Sequence, residues 1–315
     1  MRWLRPLALV AVSAVSSGLL VMMSQLLLTP PTRPWIGLYE YQPTPAQDGK
    51  LDLSVGFFNW NDPNLLLQVK AFLSESRQQR RVPLLNLEPF AAPNPGQAGA
   101  DLLNEVRRGR YDQRLRALGD VLAAEPSMLL LRFGHEMDKT GQYSWSFTDP
   151  EDYISLYRYV YDALNGSDIP HVRWVWSPAG SPQAYRFWPG HSYVDLIGIS
   201  AYASRAWRVD RSLESFSEIL ERNRWLQRRF GRPLFIAEAG VSGSAADQQR
   251  WLQDAFRVMA QSPDVCGLVY FQAPQPSWMP LPTGHEDWRL KQGPLTWLLQ
   301  HLPLPERRGL SCVGA

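Results

Sequence analysis

Eight short apolar runs recur along this 315-residue sequence, and they constrain its fold more than any other feature. Each run is nearly continuous in apolar residues and about as long as a parallel strand that is covered on both faces. Helical patterns lie between most of the runs, and this alternation is typical of βαβ units around a parallel sheet. The runs occupy residues 35–41, 53–60, 82–90, 127–136, 172–178, 194–200, 233–240 and 265–273.

The segments between the runs carry the signals of amphipathic helices. In PEDYISLYRYVYDAL, Pro150 suits the first helical position, and Tyr153, Tyr157 and Leu164 recur on one face. Four prolines and glycines between the fifth and sixth runs instead predict a long loop there. About eight strand–helix pairs in about 280 residues predict an α/β fold, a (β/α)₈ TIM barrel. A doubly wound open sheet is the alternative, but no Gly-rich phosphate loop follows the first run.

The N-terminal segment differs from the rest. Arg2 and Arg5 precede an uncharged stretch that reaches Leu28 and is long enough to span a bilayer as a helix. The flanking positive charge predicts a cytoplasmic N-terminus and an exported body, periplasmic or extracellular. An uncleaved signal-anchor is favoured over a cleaved signal peptide, which would leave a secreted protein. The predicted divisions are this transmembrane or signal segment (1–28), a linker (29–34), the barrel (35–305) and a tail (306–315).

Composition excludes some classes of function. The net charge is only +2, so the chain lacks the basic surface of a nucleic-acid-binding protein. Two cysteines, Cys266 and Cys312, are too few for a disulfide framework, and the sequence does not say whether they pair. Oligomeric state is equally undetermined.

The apolar runs end in polar side chains, and the active site of a TIM barrel lies where its strands end. The third run ends in Glu88, the fourth in His135 and Glu136, and the seventh in Glu238. Strict strand alternation would place Glu136 on the face of Leu130 and Arg132, and Glu238 on the face of Leu234 and Ile236. If those faces point inward, two carboxylates meet at the barrel mouth.

Two carboxylates at one mouth are the requirement for hydrolysing a glycosidic bond. One must be protonated to donate to the leaving oxygen, and an apolar setting raises its pKa; the other must be ionised to attack the anomeric carbon. Aromatic rings near the strand ends can stack on the apolar faces of sugars, although the 13 Trp and 12 Tyr residues also serve as core.

Several motifs at the strand ends, taken in order, resemble glycoside hydrolase family 26, which includes β-1,4-mannanases and some β-glucanases. They are RFGHEM, a following Tyr-x-Trp, VWSP, PGHSYVDLIGISAY and PLFIAEAG, and the resemblance runs from about Trp35 to about Arg289. It implies a barrel enzyme without metal or organic cofactor that retains anomeric configuration. Glu136 would be the general acid/base and Glu238 the nucleophile.

The resemblance also implies substrate-binding roles around this pair. His135 would lie beside the acid, Trp145 would form a sugar platform and Tyr202 would hydrogen-bond the nucleophile. Glu88 would lie near the mouth. Two further candidates come from the residues themselves: Arg132, as an ion-pair partner of Glu88 or a substrate contact, and Trp176, as a sugar contact or core residue.

The chain departs from the family pattern in the segment DKTGQYSW after Met137, which borders the cleft, and in the aromatic that ends the eighth run, where Tyr270 and Phe271 are candidates. The sequence predicts an endo-acting β-glycanase whose substrate is mannan, glucomannan or β-glucan. Exo action and transglycosylation stay open. The alternative function is a weak or inactive glycan-binding barrel that assists polysaccharide synthesis or export.

Overall fold

Each of the eight apolar runs forms a strand, and the strands close into a parallel barrel in sequence order. The computed structural model describes residues 33–40, 48–93, 101–165, 169–279 and 284–304. The predicted TIM barrel is therefore confirmed. The strands are β1 (Trp35–Tyr39), β2 (Leu53–Asn59), β3 (Val82–Glu88), β4 (Leu129–Phe133), β5 (Val172–Trp176), β6 (Leu196–Ala203), β7 (Leu234–Val241) and β8 (Val265–Phe271).

Helices cover the outside of the barrel. The expected loop between β5 and β6 contains only the 3₁₀ turns Ala184–Phe187 and His191–Tyr193. Further 3₁₀ turns lie at Asp48–Lys50 and Arg205–Trp207. The α-helices are α1 (Leu65–Gln78), α2 (Leu102–Arg107), α3 (Asp112–Ala123), α4 (Pro150–Asn165), α5 (Phe216–Phe230), α6 (Ala245–Gln261) and α7 (Gln292–Gln300).

The core has two layers, one inside the barrel and one between the strands and the helices. In β4, Leu130 packs inside the barrel, whereas Leu129, Leu131 and Phe133 pack outside it against the helices. All of these side chains are fully buried. Arg132 therefore points inward, as predicted from alternation.

Strand β7 does not follow the predicted alternation. Leu234 and Ile236 belong to the outer layer, and Phe235 and Ala237 fill the barrel interior, so the face expected to carry Glu238 inward is the outward one. The register of β7 with β8 shifts between Ile236 and Ala239. A bulge of this kind re-aims the following side chain, and this irregularity lets Glu238 reach the mouth.

Residues 1–32 and 305–315 lie outside the described part of the chain. The predicted membrane segment, most of the predicted linker, the predicted tail and Cys312 fall there. Within the described residues, no helix has the length and apolar character needed to cross a bilayer.

Candidate active site

Glu238 projects from β7 into a cavity at the C-terminal ends of the strands. One carboxylate oxygen, Oε1, accepts a hydrogen bond from the Arg132 guanidinium, and the other, Oε2, accepts one from the Tyr202 hydroxyl at 2.7 Å. The residue is only 7% exposed. Both oxygens are thus fixed by groups from other strands, which orients the carboxylate. The predicted contact between Tyr202 and the nucleophile candidate is present.

Arg132 lies beneath the cavity and is fully buried. Its Nη1 donates to Glu238 and also to Asn86 Oδ1 at 3.2 Å. Asn86 in turn donates from Nδ2 to the backbone oxygen of Gly56 at 3.0 Å. Arg132 therefore supports the carboxylate of Glu238. The structure shows this ion pair instead of the expected ion pair with Glu88, and Arg132 does not line the cavity as a substrate contact would.

Glu136 reaches the cavity by a turn and not by strand alternation. Strand β4 ends at Phe133, and Gly134 and Glu136 have φ angles of 51° and 53°. Glycine adopts this left-handed conformation readily because it has no Cβ. The position is also tight, since a Cβ on Gly134 would lie 3.3 Å from the Trp145 ring. The Glu136 amide donates to the backbone oxygen of Ser177 at 2.7 Å. A non-glycine residue held at positive φ is strained, and such strain clusters at functional sites.

The carboxylate of Glu136 is paired within the same turn. Its Oε2 accepts a hydrogen bond from Lys139 Nζ at 2.7 Å and another from the Tyr143 hydroxyl at 3.0 Å. Burial favours the neutral carboxyl, but the nearby Lys139 and His135 and the hydrogen bonds from Lys139 and Ser200 together outweigh it, and they hold the pKa of Glu136 well below its usual range. The expectation of a raised pKa at the acid was therefore wrong, because it took no account of the Lys139 ammonium.

His135 lies beside the two carboxylates, as predicted. Its Nε2 is 4.0 Å from Glu238 Oε1, and its ring contacts Phe57 and Tyr143 edge-on. Burial, followed by the nearby Arg132 charge, lowers the pKa of His135 to about 4. The imidazole is neutral at neutral pH, so it can exchange hydrogen bonds but supplies no charge.

Glu88 is a third carboxyl group in the cavity. Burial, reinforced by the Glu238 charge and opposed by Arg132, raises its pKa to about 8. Glu88 is thus a neutral acid at neutral pH and can donate a hydrogen bond. Its expected place near the mouth is what the structure shows.

Half of the residues that line the cavity are aromatic, and the cavity has a volume of about 210 Å³. The most open of them is Trp207, which is 42% exposed and contacts Trp288. Phe271 is the aromatic that β8 presents to the cavity, whereas Tyr270 is buried and donates to the Trp288 backbone oxygen at 2.8 Å. The aromatic lining residues are Tyr39, Phe57, Tyr143, Tyr202, Trp207, Phe271, Trp278 and Trp288.

Two tryptophans expected at the cleft are core residues. Trp145 is fully buried, stacks on Tyr143 at 4.6 Å and donates its indole N–H to the His135 backbone oxygen at 2.7 Å. Trp176 is also fully buried and donates to the Phe187 oxygen at 3.0 Å. Neither ring offers a free face to a sugar. Trp145 instead supports the turn that carries Glu136.

The structure adds two residues that the sequence did not single out, and it gives a third residue a new partner. Lys139 contacts Glu136, and Asn86 anchors Arg132. Tyr143, the tyrosine of the Tyr-x-Trp motif, also contacts Glu136. The departure of DKTGQYSW from the family pattern was the one signal that pointed to Lys139. Among the described residues, no three His, Cys, Asp or Glu side chains form a group that could hold a metal ion.

The chain is similar in sequence to known glycosidases. The family model of glycosyl hydrolase family 26 matches residues 115–232. Endoglucanase H of Acetivibrio thermocellus is 21% identical over 263 residues, which cover 79% of this chain and 27% of that protein. A beta-1,3-xylanase of Alcaligenes sp is 28% identical over 164 residues, 50% of this chain and 32% of that protein.

A mannan endo-1,4-beta-mannosidase of Bacillus subtilis is 32% identical over 93 residues, 26% of this chain and 25% of that protein. The chain thus spans less than half the length of these curated relatives. Among solved structures, a GH26 beta-mannanase from Bacteroides ovatus superposes with a TM-score of 0.62 at 12% identity, covering 87% of this chain and 90% of that one. At this identity the superposition supports the fold alone. The resemblance that the strand-end motifs indicated is confirmed.

Proposed function

We propose that this chain is a retaining endo-β-glycanase, since it matches glycosyl hydrolase family 26 over residues 115–232. Glu238 is the nucleophile and Glu136 the general acid/base. The observation that carries the proposal is the shared cavity: one carboxylate from the turn after the fourth strand and one from the seventh strand lie in one aromatic-lined pocket, each oriented by a tyrosine.

The two carboxylates suit different parts of a double displacement. In the first step Glu238 Oε attacks the anomeric carbon, the bond to the leaving oxygen breaks, and Glu136 supplies the proton to that oxygen. In the second step Glu136 takes a proton from water, the water oxygen bonds to the anomeric carbon, and Glu238 leaves. Arg132 and Tyr202 each donate a hydrogen bond to Glu238 and orient its carboxylate for attack.

The polymer is a β-linked polysaccharide. The relatives are named as an endoglucanase, a beta-1,3-xylanase and a mannan endo-1,4-beta-mannosidase, so their names do not select one sugar. Mannan, glucomannan and β-glucan are the substrates expected from the family resemblance, and β-1,3-xylan is added as a test substrate because of the relatives. Trp207 is the proposed sugar platform, in place of Trp145, because its ring is exposed at the cavity.

The protein is also proposed to act outside the cytoplasm and to be attached to the membrane through residues 1–28. The uncharged stretch that follows Arg2 and Arg5 supports this proposal. A fractionation of cells that express the full chain tests it, with release by detergent expected and release by washing alone contradicting it.

The second candidate function is glycan binding without turnover. It is favoured by the Lys139–Glu136 ion pair, because the ammonium opposes the protonation that the proposed acid needs. Binding without hydrolysis would then serve polysaccharide synthesis or export.

One assay separates the two candidates. The chain without residues 1–32 is incubated with mannan, glucomannan, mixed-linkage β-glucan and β-1,3-xylan, and the anomer of the first product is read by NMR. The wild type is expected to release retained product from at least one polymer, and Glu238→Ala to be slower by on the order of 10⁴-fold or more. If wild type and Glu238→Ala both fail to hydrolyse every polymer but still bind one, the proposal that the protein is an enzyme is contradicted. A product of inverted configuration would contradict the assignment of Glu238 as nucleophile.

A further inference from the structure

Lys139 places a positive charge directly on the proposed acid/base. Its Nζ lies 2.7 Å from Glu136 Oε2, and its side chain is 39% exposed, whereas that of Glu136 is 6% exposed. The pair is built locally, because the Lys139 amide also donates to the Glu136 backbone oxygen at 3.0 Å. The turn therefore places the two residues side by side, with the ammonium within hydrogen-bond distance of the carboxylate.

The surroundings supply no second cation of this kind. Among the described residues that line the cavity, Lys139 alone is cationic at neutral pH, because His135 is neutral there and Arg132 lies beneath the cavity on Glu238. The titratable and charged groups around the Lys139–Glu136 pair are Tyr39 on β1, Glu88 on β3, Arg132 and His135 from β4 and its end, Asp138 and Tyr143 in the turn, Tyr202 on β6 and Glu238 on β7.

We propose that Lys139 is a positioning residue that sets the pH range in which Glu136 can donate a proton to the leaving oxygen. The inference rests on the proposed function. The first step needs Glu136 protonated, which the ammonium opposes; the second needs it ionised, which the ammonium favours. The first step therefore limits turnover, and activity falls as the pH rises out of the acidic range.

The sign of the pH effect follows from the ion pair. An opposite charge at this distance lowers the pKa of a carboxyl group, in agreement with the direction found for Glu136. Removing the ammonium raises that pKa, so the alkaline limb of kcat/KM moves to higher pH. Arginine, which keeps the charge, leaves the limb in place.

The test is the pH profile of kcat/KM for wild type, Lys139→Met and Lys139→Arg, measured with a glycoside whose leaving group is poor. Lys139→Met is expected to move the alkaline limb of kcat/KM upward by about one pH unit or more. At a pH above the wild-type limb, kcat/KM of Lys139→Met should then be about tenfold higher than that of wild type. Lys139→Arg and the control Lys70→Met, on the exposed face of α1, are expected to keep the wild-type limb. With a dinitrophenyl leaving group, which needs no proton, Lys139→Met and wild type should have the same profile.

The outcomes separate this inference from the proposed function. If wild type is active and Lys139→Met has the same alkaline limb, the role of Lys139 is overturned and the proposed enzymatic function is unaffected. A wild type that is inert on every polymer and aryl glycoside overturns the enzyme first. Lys139→Gln, checked with the others by thermal unfolding, carries the same prediction if the methionine variant does not fold.

Discussion

The two proposed catalytic carboxylates are held by different kinds of structure. Glu238 is fixed from the barrel wall, because Arg132 and Tyr202 on two other strands bind its oxygens. Glu136 is fixed from a turn, because Lys139 and Tyr143 follow it within seven residues. The barrel wall holds the residue that attacks the anomeric carbon and needs a fixed orientation. The turn serves the residue whose protonation must change, and a turn can vary without disturbing the barrel.

The largest effect that would sharpen this contrast is a dependence on the leaving group. Glu136→Gln keeps the shape of the side chain but cannot donate a proton. Hydrolysis of a glycoside with a poor leaving group should slow by about 10²- to 10⁴-fold, since that is the usual contribution of general acid catalysis. The first step with a dinitrophenyl glycoside should change little. A burst of dinitrophenol measures it, and equal losses with both leaving groups would break the assignment.

A smaller effect concerns the barrel wall. Arg132→Met removes the buried partner of Glu238 and leaves its charge uncompensated, which should cost about 3–5 kcal/mol of unfolding free energy. Urea unfolding measures the loss. Arg222→Met, which breaks an exposed pair with Glu214, is the matched control and should cost at most about 1 kcal/mol.

The double variant Arg132→Met/Glu238→Gln sharpens the same point. It should recover part of the stability that Arg132→Met loses, because the uncompensated charge is gone. A single variant Arg132→Met as stable as the control would show that the wall does not depend on the ion pair.

The barrel and its polar rim could be predicted because they follow from patterns that repeat along the chain. Apolar runs define the strands, and the side chains that end them, Glu88, His135, Glu136 and Glu238, meet in one cavity. Alternation correctly placed Leu130 and Arg132 inside the barrel. These features depend only on the period of a strand and on where strands end.

What could not be predicted depends on irregular backbone and on burial at the level of single side chains. The register shift in β7 and the left-handed turn at Gly134 and Glu136 both break the period on which the reasoning relied. Trp145 and Lys139 both follow Glu136 in this region, and the path of the backbone there turns Lys139 toward the cavity and buries Trp145 in the core. The spacing of residues along the sequence predicts neither placement.

The most direct measurement of the central claim is to trap the covalent intermediate. A 2-deoxy-2-fluoroglycosyl fluoride of the sugar in the preferred polymer slows both steps but keeps a good leaving group, so the glycosyl-enzyme accumulates. Peptide mass spectrometry of the inactivated protein should place one sugar on Glu238 in the strand Leu234–Val241. A label on Glu136 or Glu88, or turnover without any labelled carboxylate, would contradict the account.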